Sequence, residues 1–291
     1  MMKNILIPVD FSDYTWTQVQ YALDFTKNFA CEIRLVHVFD DPFVDKDISQ
    51  TTNKNQVTGY TEELIHKMET DAHSNMQMML EKVREATKDR KDSDFILSSS
   101  VRRGFAADEI LNEARAWRPH LILMGTRGHS KINRVMFGTV TQSVIKHAHI
   151  PLLALPLNYS YRKISNVLYG TNFNNYDVYA IGKMMHLLQD SECKYHITHF
   201  NLDDDIESDE KNMMQLSNQV ENDYRNARLH FEIINSEKLK KGIEEFIADY
   251  SIDMVALTAR KMNRWQNLFT KSNTVMWLNA TETPLLVFHE I

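Results

Sequence analysis

Residues 5–14, ILIPVDFSDY, and residues 167–176, VLYGTNFNNY, carry one pattern twice, displaced by 162 positions. The same displacement takes Cys31 to Cys193 and His37 to His199. Further along, HLILMGTRG from His120 lies over DMVALTARK from Asp253 at a displacement of 133, which also carries Pro151-Leu152-Leu153 onto Pro284-Leu285-Leu286. Constant shifts over such lengths indicate that one domain has been duplicated in tandem. The second copy is the shorter, and its deficit falls between the second and fourth strands, where the first copy has a polar loop and a long helix. With 291 residues, 43% of them hydrophobic, the chain has material for two cores of the size that domains of roughly 100–150 residues close.

Within the first copy, periodicity alternates between strand and helix. Lys3 to Val9 reads as a buried strand, and Asp10-Phe11-Ser12-Asp13 as a turn and N-cap for a helix over about Tyr14 to Phe29. Cys31 to Phe39 is a strand, Asp40 to Gly59 an irregular polar loop, and Tyr60 to about Asp89 one amphipathic helix. Leu64, Met68, Ala72, Met76, Met79, Leu80 and Val83 form its expected core stripe. Then follow a strand over Phe95 to Val101, a helix from Ala106 to Trp117, a short apolar strand Leu121 to Met124, a helix Thr139 to Ala148 and a fifth strand Pro151 to Leu155. The expected fold is α/β, as two tandem copies of an open five-stranded parallel-sheet domain, Rossmann-like and doubly wound. Pro156 to Lys163 reads as a linker, giving domains over 1–157 and 163–291. In such sheets a ligand sits beyond the carboxyl ends of the strands, where strand order reverses.

The stretch from Met124 to Thr141, MGTRGHSKINRVMFGTVT, follows the fourth strand. Gly125, Gly128 and Gly138 punctuate a loop that carries Arg127, His129, Lys131 and Arg134 and no acidic residue, in a chain of formal net charge -6. The loop ends at a helix N-terminus, whose outward amides attract anions. These features predict a phosphate cradle. The spacing Gly-x2-Gly-x9-Gly-Thr, continued by Val140-Thr141, resembles the adenine-nucleotide loop of the universal stress protein family.

That resemblance covers the chain as two copies, strongly in the first and weakly in the second. It implies ATP as the ligand, with any Mg²⁺ held through the phosphates. It places Pro8 and Asp10 on the adenine and ribose side and has Val38 offer backbone hydrogen bonds to the adenine edge. Met124 and Gly125 line the base and ribose, and Gly128 admits the phosphates. Gly138, Thr139, Val140 and Thr141 meet the phosphate tail, with Arg127 nearby. The implied function is a nucleotide-responsive regulatory or stress-response protein. The alternatives are an adaptor that has lost nucleotide dependence and a weak ATPase. Phosphoryl transfer needs a group to orient the attacking water, and the loop contains neither a Walker lysine motif nor an acidic base, so at most slow hydrolysis is expected. Family members dimerise through their fifth strands, which here predicts an intramolecular pseudo-dimer of Pro151–Leu155 with Pro284–Phe288 and leaves a further homodimer open.

The second copy is expected to bind no nucleotide. Gly125, Gly128 and Gly138 become Thr258, Lys261 and Lys271, while Pro8 becomes Gly170 and Asp10 becomes Asn172. Side chains there obstruct close backbone approach and resist positive φ. Arg260, Ser272 and Thr274 persist in register with Arg127, Thr139 and Thr141. Of the twelve histidines, His37 and His199 recur in both copies and read as structural. His147 and His149 lack the converging partners that a metal needs, and no metal site is expected. The balance of 33 basic and 39 acidic residues argues against a nucleic-acid surface. The acidic run from Asp203 to Glu210 reads as a solvated loop. With no long uncharged apolar run and no signal-peptide pattern, the expectation is a cytoplasmic protein away from membranes. Cys31 and Cys193 are expected to be buried and reduced.

Overall fold

Ile5, Leu6 and Ile7, like Leu121, Ile122 and Leu123, are fully buried, because strands covered by helices on both faces have little place for polar side chains. The structure, a computed structural model, describes residues 2–40, 54–91, 93–126, 138–188, 192–202, 206–225, 227–259 and 282–290. These residues fall into two units that divide between Ile150 and Pro151.

The first unit runs β1 (Lys3–Pro8), α1 (Thr15–Phe25), β2 (Cys31–Phe39), α2 (Lys54–Ala86), β3 (Phe95–Arg103), α3 (Ala106–Trp117), β4 (Leu121–Gly125) and α4 (Thr139–His147). Its strands are parallel in the order β3-β2-β1-β4, so strand order reverses between β1 and β4. The second unit runs β5 (Leu152–Leu155), β6 (Asn166–Gly170), α5 (Asp177–Leu188), β7 (Lys194–Asn201), α6 (Ile206–Asp223), β8 (Arg228–Asn235), α7 (Leu239–Asp249), β9 (Met254–Ala259) and β10 (Leu285–His289). Its order is β5-β10-β9-β6-β7-β8. All its pairings are parallel except β5 with β10, where Leu152, Leu153 and Ala154 run antiparallel to Val287, Leu286 and Leu285.

The duplication extends to backbone detail. Phe11 and Phe173 both have φ of 56°, and Arg118 and Ser251 have φ of 53° and 50°. The His37 Nδ1–H donates to the Val9 carbonyl at 2.8 Å, as that of His199 does to Thr171 at 2.9 Å. Each ring packs on its phenylalanine, at 4.3 Å for Phe11–His37 and 4.5 Å for Phe173–His199. Burial pushes the His37 imidazole below its ordinary value, outweighing the opposing pull of the Val9 carbonyl and of Asp10 and Asp40. A ring that braces a positive-φ turn in both copies is a structural device.

Several boundaries differ from the periodicity. Helix α1 spans only Thr15–Phe25, and Tyr14 at its N-cap makes no side-chain cap bond. Asp10 instead organises the turn, its Oδ1 accepting from the Ser12 amide, the Ser12 hydroxyl and the Thr15 hydroxyl. At its end the Thr26 amide and hydroxyl both close on the Ala22 carbonyl, at 3.0 and 2.8 Å, and the Arg90 guanidinium takes the Thr26 carbonyl that a further turn would use. Helix α2 starts at Lys54, inside the stretch read as irregular, because residues 54–59, KNQVTG, have no apolar period by which a helix is recognised and include the poor helix formers Asn55, Thr58 and Gly59. Along its stripe Ala72, Met76, Leu80 and Val83 are buried, whereas Leu64 is 47% exposed. Strand β3 extends to Arg103, since polar residues are tolerated on an edge strand.

Two charged side chains tie the first unit together. Arg90 donates to the Thr26 hydroxyl (3.1 Å), the Thr26 carbonyl (2.8 Å) and the Phe29 carbonyl (3.4 Å), closing the end of α1 while lying over Phe95 at 4.6 Å. An Arg90→Ala variant is expected to lose about 1–3 kcal/mol of unfolding free energy, measured by denaturant titration. An unchanged midpoint would show that water replaces these bonds. Glu113, only 3% exposed on α3, accepts from Arg34 at 3.1 Å, from Ser100 at 3.2 Å and from Arg102 at 2.7 Å. Arg34 also stacks over Trp117 at 4.3 Å.

Candidate functional site

The carboxyl ends of β1, β2 and β4 lie together where strand order reverses, the place at which sheets of this kind leave a crevice. The β1–β2 ladder ends at Pro8 opposite Val36, where the Val9 amide donates to the Val36 carbonyl at 2.8 Å. Residues two apart along a strand present their backbone groups to the same side. The amide and carbonyl of Val38 therefore face the side that β1 has left, while β2 and β3 stay paired through Phe39 and Arg103. This is the geometry needed for Val38 to meet a planar ligand edge through its backbone. Pro8, Asp10 and Val38 are all partly exposed there, with Asp10 held by Ser12 and Thr15.

Across the crevice, the Gly138 amide donates to the Thr126 carbonyl at 2.7 Å and the Thr141 hydroxyl donates to the Gly125 carbonyl at 2.9 Å. These bonds fix the start of α4 over the end of β4. Gly138 is the N-cap and contributes no side-chain cap bond, and the first turn carries no acidic residue. The amides of Thr139, Val140 and Thr141 precede the first possible intrahelical bond, which runs from Gln142 to the Gly138 carbonyl at 3.0 Å. Lys146 and His147 occupy the last turn, the end at which positive charge complements the helix dipole. With no side-chain cap among the described residues and no acidic residue in its first turn, the start of α4 has the chemistry that suits an anion.

Of the two parts expected of glycine in the loop, positive φ and room for close approach, Gly138 does not show the first. Among the described residues the one glycine with positive φ is Gly104, at 143°. Gly138 sits at φ −59°, ψ 149°, a conformation open to any residue. Glycine at this position adds no side chain at the N-cap of α4. Met124 is 5% exposed, so its side chain belongs mainly to the core. Arg127 and Gly128, with His129, Lys131 and Arg134, lie outside the described residues, as do Arg260, Lys261, Lys271, Ser272 and Thr274.

In the second unit the counterpart of the Gly125 position carries Thr258, whose hydroxyl pairs with the Tyr169 hydroxyl at 2.7 Å. Its side chain is thereby directed to Tyr169. Tyr169 also donates to Asp177 at 2.8 Å, and Asp177 further accepts from the Thr171 hydroxyl at 2.6 Å and the Asn174 amide at 3.0 Å. Tyr169 and Asp177 are 0% and 2% exposed. Burial, then the Asp177 charge, push the Tyr169 phenol well above its ordinary value, which keeps it a neutral donor. Sequence reasoning missed this network and also missed Thr15 and Gln18 of the first unit. Comparing the two copies at Ile7/Tyr169, Thr15/Asp177 and Gln18/Ala180 would have exposed them.

Among the described residues no helix is long and apolar enough to cross a membrane. Over its whole length the chain is similar in fold to a universal stress protein of Archaeoglobus fulgidus, with TM-score 0.67 and 16% identity, covering 98% of each chain. In sequence it is 29% identical over 156 residues to universal stress protein MJ0531 of Methanocaldococcus jannaschii, covering 53% of this chain and 82% of that one. It is 24% identical over 153 residues to universal stress protein YxiE of Bacillus subtilis, covering 53% of this chain and 98% of that one. The universal stress protein family model matches residues 1–156, more than half of the chain, and on that ground the protein belongs to the universal stress protein family.

Proposed function

We propose that the first unit binds ATP in the crevice between the ends of β1 and β4 and that the protein works as a nucleotide-responsive regulator. The observation that carries this reading is the uncapped start of α4, tied by Gly138 and Thr141 over the end of β4, opposite the Val38 backbone edge. One end suits the phosphates and the other the adenine edge. Pro8, Asp10, Gly125, Thr139 and Val140 lie between or beside them, and Arg127 and Gly128 complete the set by motif. Any Mg²⁺ is held through the phosphates, because the residues around α4 supply no carboxylate pair for it. The second unit binds no nucleotide in this reading, consistent with the Tyr169–Asp177–Thr258 network.

The reading keeps a pseudo-dimer within one chain through Pro151–Leu155 and Pro284–Phe288, segments that pair antiparallel inside the second unit. Regulation requires that ATP bind two conformational states unequally. Calorimetric titration with ATP and Mg²⁺ is expected to give one site per chain. Two sites would remove the restriction to the first unit, and none would remove the nucleotide reading altogether.

A further inference from the structure

The two units differ in how far their central strands zip together. In the first, β1 and β4 are in register at only two positions, Ile5 with Leu121 and Leu6 with Ile122. In the second, β6 and β9 pair at the two equivalent positions and at two more, Tyr169 with Ala256 and Gly170 with Leu257. Continuing the shorter ladder would require the amide of residue 8 to donate to the Leu123 carbonyl. Residue 8 is proline and has no amide hydrogen. The Gln18 side chain of α1 takes over that place, its Nε2 donating to the Leu123 carbonyl at 3.2 Å and to the Pro8 carbonyl at 3.1 Å. Both orphaned acceptors are satisfied while the strand ends remain apart. The equivalent of Gln18 in the second unit is Ala180, fully buried, beside Gly170, which has the amide hydrogen that Pro8 lacks.

We infer that Gln18 is a positioning residue for the nucleotide crevice, a side-chain amide wedged between the diverging ends of β1 and β4 that sets their separation. This rests on the nucleotide reading of the first unit. The end of β1 leads to Asp10 on the base and ribose side, and the end of β4 leads to the loop and helix on the phosphate side. Their spacing therefore matters most to a ligand that touches both. The inference also gives a cause for the second unit's lack of a nucleotide site that is independent of its lost glycines: without proline and glutamine the ladder closes across the crevice.

Three variants test it: Gln18→Ala, which copies the second unit; Gln18→Met, of similar length and without donors; and Pro8→Gly/Gln18→Ala, which restores the ladder amide. ATP and adenosine affinities are measured by calorimetry, and thermal melting without ligand reports on the fold. ATP affinity is expected to fall about tenfold or more in each variant, with adenosine affinity falling much less, because misplacement penalises the spanning ligand. The double variant is expected to melt at or above the Gln18→Ala midpoint, since its ladder can close. It keeps the test valid if either single variant folds poorly. A purely structural Gln18 would lower the melting temperature and leave the ratio of ATP to adenosine affinity unchanged, which would overturn the inference. Parent protein that binds ATP, with variants that bind it equally well, would overturn this inference alone. Parent protein that binds no ATP would remove the nucleotide reading and the inference with it.

Discussion

A Gly138→Asp variant is expected to melt slightly higher than the parent and to bind ATP on the order of a hundredfold more weakly or not at all. Both effects come from the same atoms. Gly138 holds an N-cap conformation, φ −59° and ψ 149°, with no side-chain cap, and that region of backbone space accommodates aspartate without strain. A carboxylate there caps one of the free amides of the first turn and opposes the positive end of the helix dipole. Together these contribute about 0.5–1 kcal/mol. The same carboxylate occupies the position proposed for the phosphates and repels them. Melting and ATP titration on one preparation provide the check. Unchanged ATP affinity in the variant would mean that the start of α4 is not where the ligand's charge sits. A lower melting temperature would mean that the amides already have partners.

Replacing Glu113 by alanine is expected to lower the stability of the first unit by about 2–3 kcal/mol. The buried carboxylate is the shared acceptor of Arg34, Arg102 and Ser100, and its loss strands two guanidinium groups beside the sheet. The figure is kept below that for a wholly buried pair because the Arg34 and Arg102 side chains are 25% and 49% exposed and can recover water. The pH dependence has a definite sign. Burial pushes the Glu113 carboxyl up, but the hydrogen bonds from Arg102 and Arg34, the Arg102 charge and the Ser100 hydroxyl outweigh it, so it lies below the ordinary 4.5. A carboxyl depressed by folding contributes stability above its unfolded value and loses it as pH falls through its folded value. The parent should therefore lose stability as the pH drops below about 4.5, and Glu113→Gln should lose less over the same range. Parallel denaturation curves for the two proteins across that range would show that Glu113 does not carry the effect.

The sequence by itself determined the duplication and the α/β class, and it pointed to the crevice proposed as the site. Two constant displacements, an alternation of apolar runs with amphipathic stretches, and one glycine-rich turn after a buried strand are local patterns, and local patterns survive in one dimension. It also fixed His37 and His199 as equivalent, because a shared structural task leaves the same residue at the same offset. It misjudged the start of α2, where the polar residues from Lys54 to Gly59 are helical without an apolar period. It ended α1 too late, at Phe29, because the Thr26 carbonyl that a further turn would use accepts instead from Arg90, more than sixty positions away.

What only the tertiary structure decided concerns contacts between residues far apart in the chain. Gly138 has no unusual φ, so in the proposed site its part is the space it leaves, which follows from the backbone angles and not from residue type. Thr258 looks from the alignment like an obstruction in a lost cradle, yet its hydroxyl bonds to Tyr169 beneath α5. Gln18 carries no motif at all. Its amide matters because Pro8 leaves a carbonyl on Leu123, more than a hundred positions away, without the donor that the ladder would have supplied. Hydrogen-bond accounting of that kind closes only in three dimensions, since a buried acceptor takes its partner from whatever folding brings beside it.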